Sequence, residues 1–163
     1  MDQEVKLDPI DRRILRRLAD DGRISWRDLA EAVGLSLTPT LRRVRQLEER
    51  GIIAGYSARL DEDVLMGGMV AFVSVTLERQ TSEAIGAFEQ QVSNMPEVMS
   101  GHQMSGGADF LLRVVVRGLE HYRTFLERLT GIGGVAHVQS SFALKSFVNR
   151  TAPMIPDLPT RRR

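Results

Sequence analysis

Apolar residues recur along this chain with two different periods, helical spacing alone up to residue 51 and strand spacing alternating with helical spacing after it. From Leu7 to Arg50 they return every three or four positions, the spacing that lines one side of an α-helix. Ile10, Ile14, Leu15 and Leu18 make one such stripe, so Leu7–Asp20 is predicted as a helix. Asp8 is placed to cap it, Pro9 takes its first position, Asp11 lies in its first turn, and Asp21-Gly22 stops it. Ser25–Val33 is predicted as a second, short helix. Ser25 and Asp28 have capping-box spacing, Ile24 and Leu29 that of a hydrophobic staple, and Gly34 ends the helix where a left-handed residue is favoured. Ser36–Arg50 is predicted as a third helix, ended by Gly51. Only Gly34 and Leu35 separate the second helix from the Ser36 cap, so the two must cross at a large angle, as in a helix-turn-helix.

Beyond residue 51 the pattern turns strand-like. Residues 52–60, IIAGYSARL, are predicted as a short strand, Asp61-Glu62-Asp63 as a polar break, and Met66-Gly67-Gly68 as a flexible joint, so that 52–68 is a linker. Met69–Leu77 is a strand rich in Val and Phe. Ser82–Met95 is a helix with Ile85, Phe88, Val92 and Met95 on one face. Val98–Met104 is a weaker strand and Asp109–Val116 a strong one. Leu119–Thr130 is a helix with Leu119, Tyr122, Leu126 and Leu129 on one face, and Val135–Val148 is a long strand. This β-α-β-β-α-β order is that of a ferredoxin-like fold, with both helices on one face of a four-stranded sheet. The predicted class is therefore α+β: a three-helix domain over 1–51, the linker 52–68, a ferredoxin-like domain over 69–150, and a tail over 151–163. The tail carries three prolines and Arg161-Arg162-Arg163 and is predicted to be disordered at its end.

The third helix has an asymmetric surface. At about 100° per residue, Leu37, Leu41, Val44 and Leu47 fall on the side that would meet the first two helices. Thr38, Pro39, Arg42, Arg43 and Gln46 fall on the other, and the acids Glu48 and Glu49 are confined to the C-terminal end. Hydroxyl, guanidinium and amide groups suit phosphates and base edges. Spacing alone leaves open a plain three-helix bundle with a solvated arginine face. Trp26, at the start of the second helix, is either a contact to DNA backbone or a half-buried surface residue.

Composition narrows the field. Hydrophobic residues make up 42% and charged residues 26%, ordinary for a soluble globular chain, and no apolar run approaches the roughly 20 residues of a membrane span. The polar N-terminus MDQEVKLD does not read as a secretory signal, so a cytoplasmic protein without membrane contact is expected. The absence of cysteine excludes disulfides and thiolate chemistry. His102, His121 and His137 are scattered without carboxylates at metal-ligand spacing, so no metal, no cofactor and no enzymatic activity are expected. The net charge is only +1, with 12 Lys/Arg against 10 Asp/Glu up to Leu60 and 10 against 11 after it, so any basic surface must be local.

Several segments together resemble one family. L-D-P-I-D-R-R-I-L (7–15), D-G-R-I-S (21–25), L-A-E-A-V-G-L-S (29–36), R-V-R-Q-L-E (43–48), G-I-I (51–53) and G-Y-S-A (55–58) are similar to the helix-turn-helix and hinge of the Lrp/AsnC, or feast/famine, regulators. M-S-G-G-A-D-F-L-L (104–112) resembles the loop between the second and third strands of that family's C-terminal domain. The resemblance runs from Leu7 to about Val148. Gln46, where the family more often has a basic residue, Gly107-Ala108, where it has a more polar pair, and Leu37, where it has proline or a small residue, depart from the pattern.

What the resemblance implies is a sequence-specific DNA-binding transcriptional regulator, a homodimer or higher even-numbered oligomer, answering to an amino-acid-type effector at an oligomer interface. The expected DNA-binding residues are Ser36, Leu37, Thr38, Pro39, Arg42, Arg43 and Gln46. The expected effector-binding residues are Met104, Ser105, Gly106, Gly107, Ala108, Asp109 and Ser140, the last at a position the family usually gives to Thr. Glycines in a tight connection let backbone N–H groups approach a carboxylate, and an acidic side chain suits an ammonium group. The residues alone leave an equal reading in which Asp109 only caps its turn. The first and third strands are apolar on both faces, which predicts that the uncovered sheet face meets a second copy. A ligand-independent DNA-compacting protein shares every DNA-binding feature.

Overall fold

The computed structural model describes residues 7–150 and 152–155. Apart from residues 152–155, the tail expected to be disordered lies outside the described residues. The chain forms two compact units. Among the described residues, those up to Arg59 together with those from Val148 onward make one, and Leu60–Phe147 make the other.

The first unit is built on α1 (Pro9–Asp20), α2 (Trp26–Val33) and α3 (Leu37–Glu49). Asp8 caps α1 in a full capping box with Asp11. Ser25 caps α2 by accepting from the Asp28 N–H, and Gly34 closes that helix in the left-handed region at φ 74°. Its core is small: Ile14, Leu29, Val33, Val44 and Leu47 are buried, with Ile10, Leu15, Leu18, Ile24, Ile52 and Ile53 packed around them.

Two expectations fail here. Leu37 is 47% exposed, although its angle lies with the apolar stripe, because it sits at the very start of α3. Thr40 takes the buried place instead, fully enclosed and donating its hydroxyl to the Ser36 carbonyl four residues back at 3.0 Å. Residues 52–60 form no strand: Ile52 and Ile53 turn inward under Leu47, whose carbonyl accepts both their N–H groups, and residues 54–60 run without a ladder partner.

In the second unit the expected polar break is a short helix, α4 (Glu62–Met66), capped by Asp61 and closed by Gly67 at φ 80°. Four strands follow: β1 (Met69–Leu77), β2 (Val98–Gln103), β3 (Phe110–Val116) and β4 (Val135–Phe142), with α5 (Ser82–Ser93) and α6 (Leu119–Thr130) between them. The sheet order is β2-β3-β1-β4, antiparallel throughout, as the ferredoxin-like pattern predicts. Ala71, Val73, Val75 and Leu77 of β1 and Phe110, Leu112, Val114 and Val116 of β3 are buried against Phe88 and Val92 of α5 and Tyr122, Phe125 and Leu129 of α6. The inner face of α6 is rotated from expectation, because Phe125 is fully buried while Leu119 is 67% exposed. β4 ends at Phe142, six residues short of the expected Val148.

The other sheet face carries Phe72, which is exposed, and Val70 and Leu111, which are half-buried. It is less uniformly apolar than expected: Arg113 lies on it, held bidentately by Glu62 of α4, and Val115 beside it is buried.

Candidate nucleic-acid interface and ligand loop

The exposed side of α3 follows from the burial of its other side. Thr40, Val44 and Leu47 face inward, so at 100° per residue Thr38, Arg42, Arg45 and Gln46 point outward, and all four are exposed. Pro39 is half-buried at the edge of this surface. Arg45 is an addition: it stands three residues after Arg42 on the same side, and that spacing was the signal that could have found it.

Ser36 occupies the cap position of α3, at φ −76° and ψ 165°, yet makes no capping hydrogen bond with its side chain. Pro39, at the third position, has no N–H, so the exposed Ser36 hydroxyl and the N–H groups of Leu37 and Thr38 stand without a capping bond at the positive end of the helix dipole, where an anion is favoured.

Arg43 is placed differently from its neighbours. Its Nη1 donates to Asp8 Oδ2 at 2.6 Å and to Asp11 Oδ1 at 2.8 Å, both on α1 or its cap. Hydrogen bonds donated to Asp8 and then to Asp11 hold the guanidinium pKa above its ordinary value. Burial raises the Asp8 carboxyl, but the N–H groups of Asp11 and Ile10 and the Arg43 guanidinium more than offset that and hold it below the usual range. Trp26 is 42% exposed at the first position of α2.

The second candidate site is the β2–β3 connection. Met104, Ser105, Gly106 and Gly107 are all exposed, and Gly106 has φ 146°, a conformation that side-chain-bearing residues rarely adopt. No atom lies within 4 Å of where a Cβ on either glycine would stand, so their backbone is open to approach. Ala108 and Asp109 are half-buried. Asp109 Oδ2 accepts the Leu77 N–H at 2.7 Å and Oδ1 accepts the Gln80 side-chain amide at 2.6 Å, which fastens the loop to the end of β1.

Ser140 is not brought to this loop. It pairs with Val73 on the β4 side of β1, faces the helices, and accepts a hydrogen bond from the Tyr122 hydroxyl. β1 separates it from the β3 side, where the loop ends.

A charged cluster around one buried carboxylate went unread in the sequence. Glu97, before β2, is 5% exposed; its Oε1 meets His121 Nε2 at 3.0 Å and Arg128 Nη2, both on α6. The Arg117 N–H donates to His121 Nδ1 at 3.2 Å, which leaves Nε2 as the protonated nitrogen facing Glu97. Among the described residues no group of three His, Asp or Glu is arranged to hold a metal ion, and no helix is long and apolar enough to cross a membrane.

Comparison with known proteins adds the context. Residues 7–54 match the model of a winged helix-turn-helix DNA-binding domain, and residues 70–153 that of the Lrp/AsnC ligand binding domain. The Bkd operon transcriptional regulator of Pseudomonas aeruginosa is 60% identical over 149 residues, covering 91% of this chain and 97% of that one. The leucine-responsive regulatory protein of Rhizobium meliloti is 42% identical over 142 residues, covering 86% and 91%. A transcriptional regulator from Neisseria meningitidis, solved as an L-Met complex, superposes with a TM-score of 0.85 at 35% identity, covering 90% of this chain and 95% of that one.

Proposed function

Since the chain belongs to the Lrp/AsnC family of transcriptional regulators, we propose that it reads specific operators with the outward face of α3 and that an amino acid bound at the β2–β3 loop modulates this binding. The observation that carries the DNA reading is the α3 surface. Ser36, Leu37, Thr38, Pro39, Arg42 and Gln46 present an uncapped helix start, an exposed apolar residue and polar groups without a carboxylate among them, and Arg45 adds a second exposed guanidinium beside Gln46. Hydroxyls and N–H groups at the helix start suit phosphates, and guanidinium and amide groups suit base edges. Leu37, exposed at the same end, suits the methyl group of thymine.

The effector reading rests on the open glycine backbone at Gly106 and Gly107 beside the Asp109 carboxylate, groups that complement a carboxylate and an ammonium. Met104, Ser105 and Ala108 complete the loop. Asp109 already bonds Leu77 and Gln80, but each carboxylate oxygen keeps a second lone pair for an ammonium group. Ser140 and the loop flank opposite sides of β1, so a ligand that touches both does so where copies of the chain meet. The exposed Phe72 and Met99 and the half-buried Val70 and Leu111 favour assembly of an even-numbered homo-oligomer. This reading has a cytoplasmic, non-catalytic regulator as its consequence.

The test is selection of bound sequences from a random duplex pool, repeated in the presence of each of the twenty amino acids. An enriched motif whose binding changes with one or a few amino acids is expected. No enrichment would overturn the operator reading, and an enriched motif indifferent to every amino acid would replace effector control by ligand-independent DNA compaction.

A further inference from the structure

Asp8 and Asp11 together present four carboxylate oxygens, and each one is engaged. Asp8 Oδ1 accepts the N–H groups of Ile10 and Asp11, both at 2.8 Å, and Asp11 Oδ2 accepts the Asp8 N–H at 3.3 Å. These three bonds close the capping box of α1. The two remaining oxygens, Asp8 Oδ2 and Asp11 Oδ1, converge on one nitrogen, Nη1 of Arg43, 35 and 32 positions further along the chain. The box that starts α1 is therefore also the anchor for a residue in the middle of α3.

That anchor has a direction. Arg43 lies about 100° around the helix from Val44 and next to the buried row of Thr40, Val44 and Leu47, while Arg42 and Arg45 lie on the far side. A pull on Arg43 toward α1 adds a directed polar restraint on the rotation of α3 about its own axis to the packing of Thr40, Val44 and Leu47. It also bears on which residues face outward. Two carboxylates at the positive end of α1 would repel each other, and one guanidinium between them removes that repulsion.

We propose that Arg43 is a positioning residue for operator recognition, clamped by the Asp8–Asp11 capping box, and that it does not itself contact DNA. The proposal rests on the reading of α3 as the DNA-facing helix, and it assigns Arg43 a role opposite to that of Arg42. It also makes the two acids contributors to the binding of a polyanion, against the sign of their charge.

That sign supplies the experiment. The full-length chain is compared with Arg43→Ala, the double variant Asp8→Asn/Asp11→Asn, and Arg42→Ala, on a duplex selected by the wild type and on a random duplex, across a salt series. Asn caps helices as well as Asp, so the double variant keeps α1 while losing both charges. Arg43→Ala and the double Asn variant should each weaken binding to the selected duplex about tenfold, the size of coupling found between residues of one network. The slope of log affinity against log salt should stay at the wild-type value for Arg43→Ala, because no phosphate contact is lost.

Tighter binding of the selected duplex by the double Asn variant, or a slope reduced by about one in Arg43→Ala, would overturn the clamp and make Arg43 a phosphate contact that the acids restrain. Arg42→Ala separates the two readings: if it leaves affinity and slope unchanged, the assignment of the α3 face fails, whatever Arg43 shows.

Discussion

Asp109 and Leu77 stand 32 positions apart in the chain and are joined by a 2.7 Å hydrogen bond from the Leu77 N–H to Asp109 Oδ2. The β1–β3 ladder ends at the pair Val75 and Phe110, and the bond carries it one step further by giving the Leu77 N–H a side-chain acceptor where no strand residue is left to pair with it. Asp109 thus combines a structural duty with its proposed role toward an ammonium group. Asp109→Ala should destabilise the unit by about 1–3 kcal/mol, because a partly buried N–H loses its acceptor. Asp109→Asn, which keeps an acceptor oxygen, should retain most of that stability. Both should lose the calorimetric response to the amino acid found by selection, while operator binding without ligand persists. A response of wild-type strength in Asp109→Asn would leave the residue as a strand fastener alone.

Gly68 should tolerate substitution less well than its neighbour. Both glycines have positive φ, 80° at Gly67 and 72° at Gly68. A Cβ on Gly67 would stand 3.5 Å from the Arg117 carbonyl, an ordinary contact, whereas one on Gly68 would fall 2.2 Å from Asp63 Oδ1. Gly67→Ala should cost about 1 kcal/mol from backbone strain alone. Gly68→Ala should cost more, since Asp63 must also move, and Gly68→Ala/Asp63→Ala should recover the difference. Urea unfolding of the three variants measures this.

Glu97 should give the second unit an acid-sensitive component. Burial raises its pKa, but its own backbone N–H, His121 and Arg128 outweigh that and hold it below the ordinary value. A carboxyl depressed in the folded state stabilises the fold fully above its unfolded pKa and loses that contribution as pH falls through the folded value. Glu97→Gln should therefore cost about 1.5–3 kcal/mol at pH 7, the range for hydrogen bonds to charged groups. The gap from wild type should close as the pH is lowered below the usual carboxylate range. Denaturation midpoints at a series of pH values check it.

Ser140 and Tyr122 should behave as a pair. The Tyr122 hydroxyl donates to Ser140 Oγ, and the Tyr122 ring meets Phe142 edge-on at 4.9 Å. Ser140→Ala leaves the hydroxyl of a buried tyrosine without its acceptor, at a cost of about 1–3 kcal/mol, whereas Tyr122→Phe/Ser140→Ala removes both partners and should be closer to neutral. Additive costs in the double-mutant cycle would show that the hydroxyls act independently.

The fold was legible where local chemistry decides it. Asp8, Ser25 and Gly34 mark helix boundaries through bonds made within a few residues, and alternation in β1 and β3 separates a buried from an open face. Contacts between distant segments were not legible. Residues 52–60 have strand-like composition but end up tucked beneath Leu47 or without a ladder partner. Arg43 shares the type and neighbourhood of Arg42 but is taken by two aspartates more than 30 positions away. The helical face of α6 was misread by one position in the turn because Leu119 and Phe125 are equally apolar and only the sheet beneath them chooses between them. Glu97 gave no signal at all, since its partners lie 24 and 31 positions onward.

The sheet order carries a consequence for how the protein is made. β1 is the first strand to be synthesised and an inner strand of the finished sheet, yet its neighbour β4 is the last, with Ala71 paired to Phe142. The helical unit closes through contacts of short reach and can form while the rest of the chain is still on the ribosome. β1 has no such option on its β4 side. Until residue 142 has emerged, a Val- and Phe-rich strand presents a row of unsatisfied N–H and C=O groups along one edge, a template for pairing with a second nascent chain. The interval between translation of residues 77 and 142 is the time during which this sheet is most exposed to misassembly, and its length is set by elongation speed rather than by the stability of the finished fold.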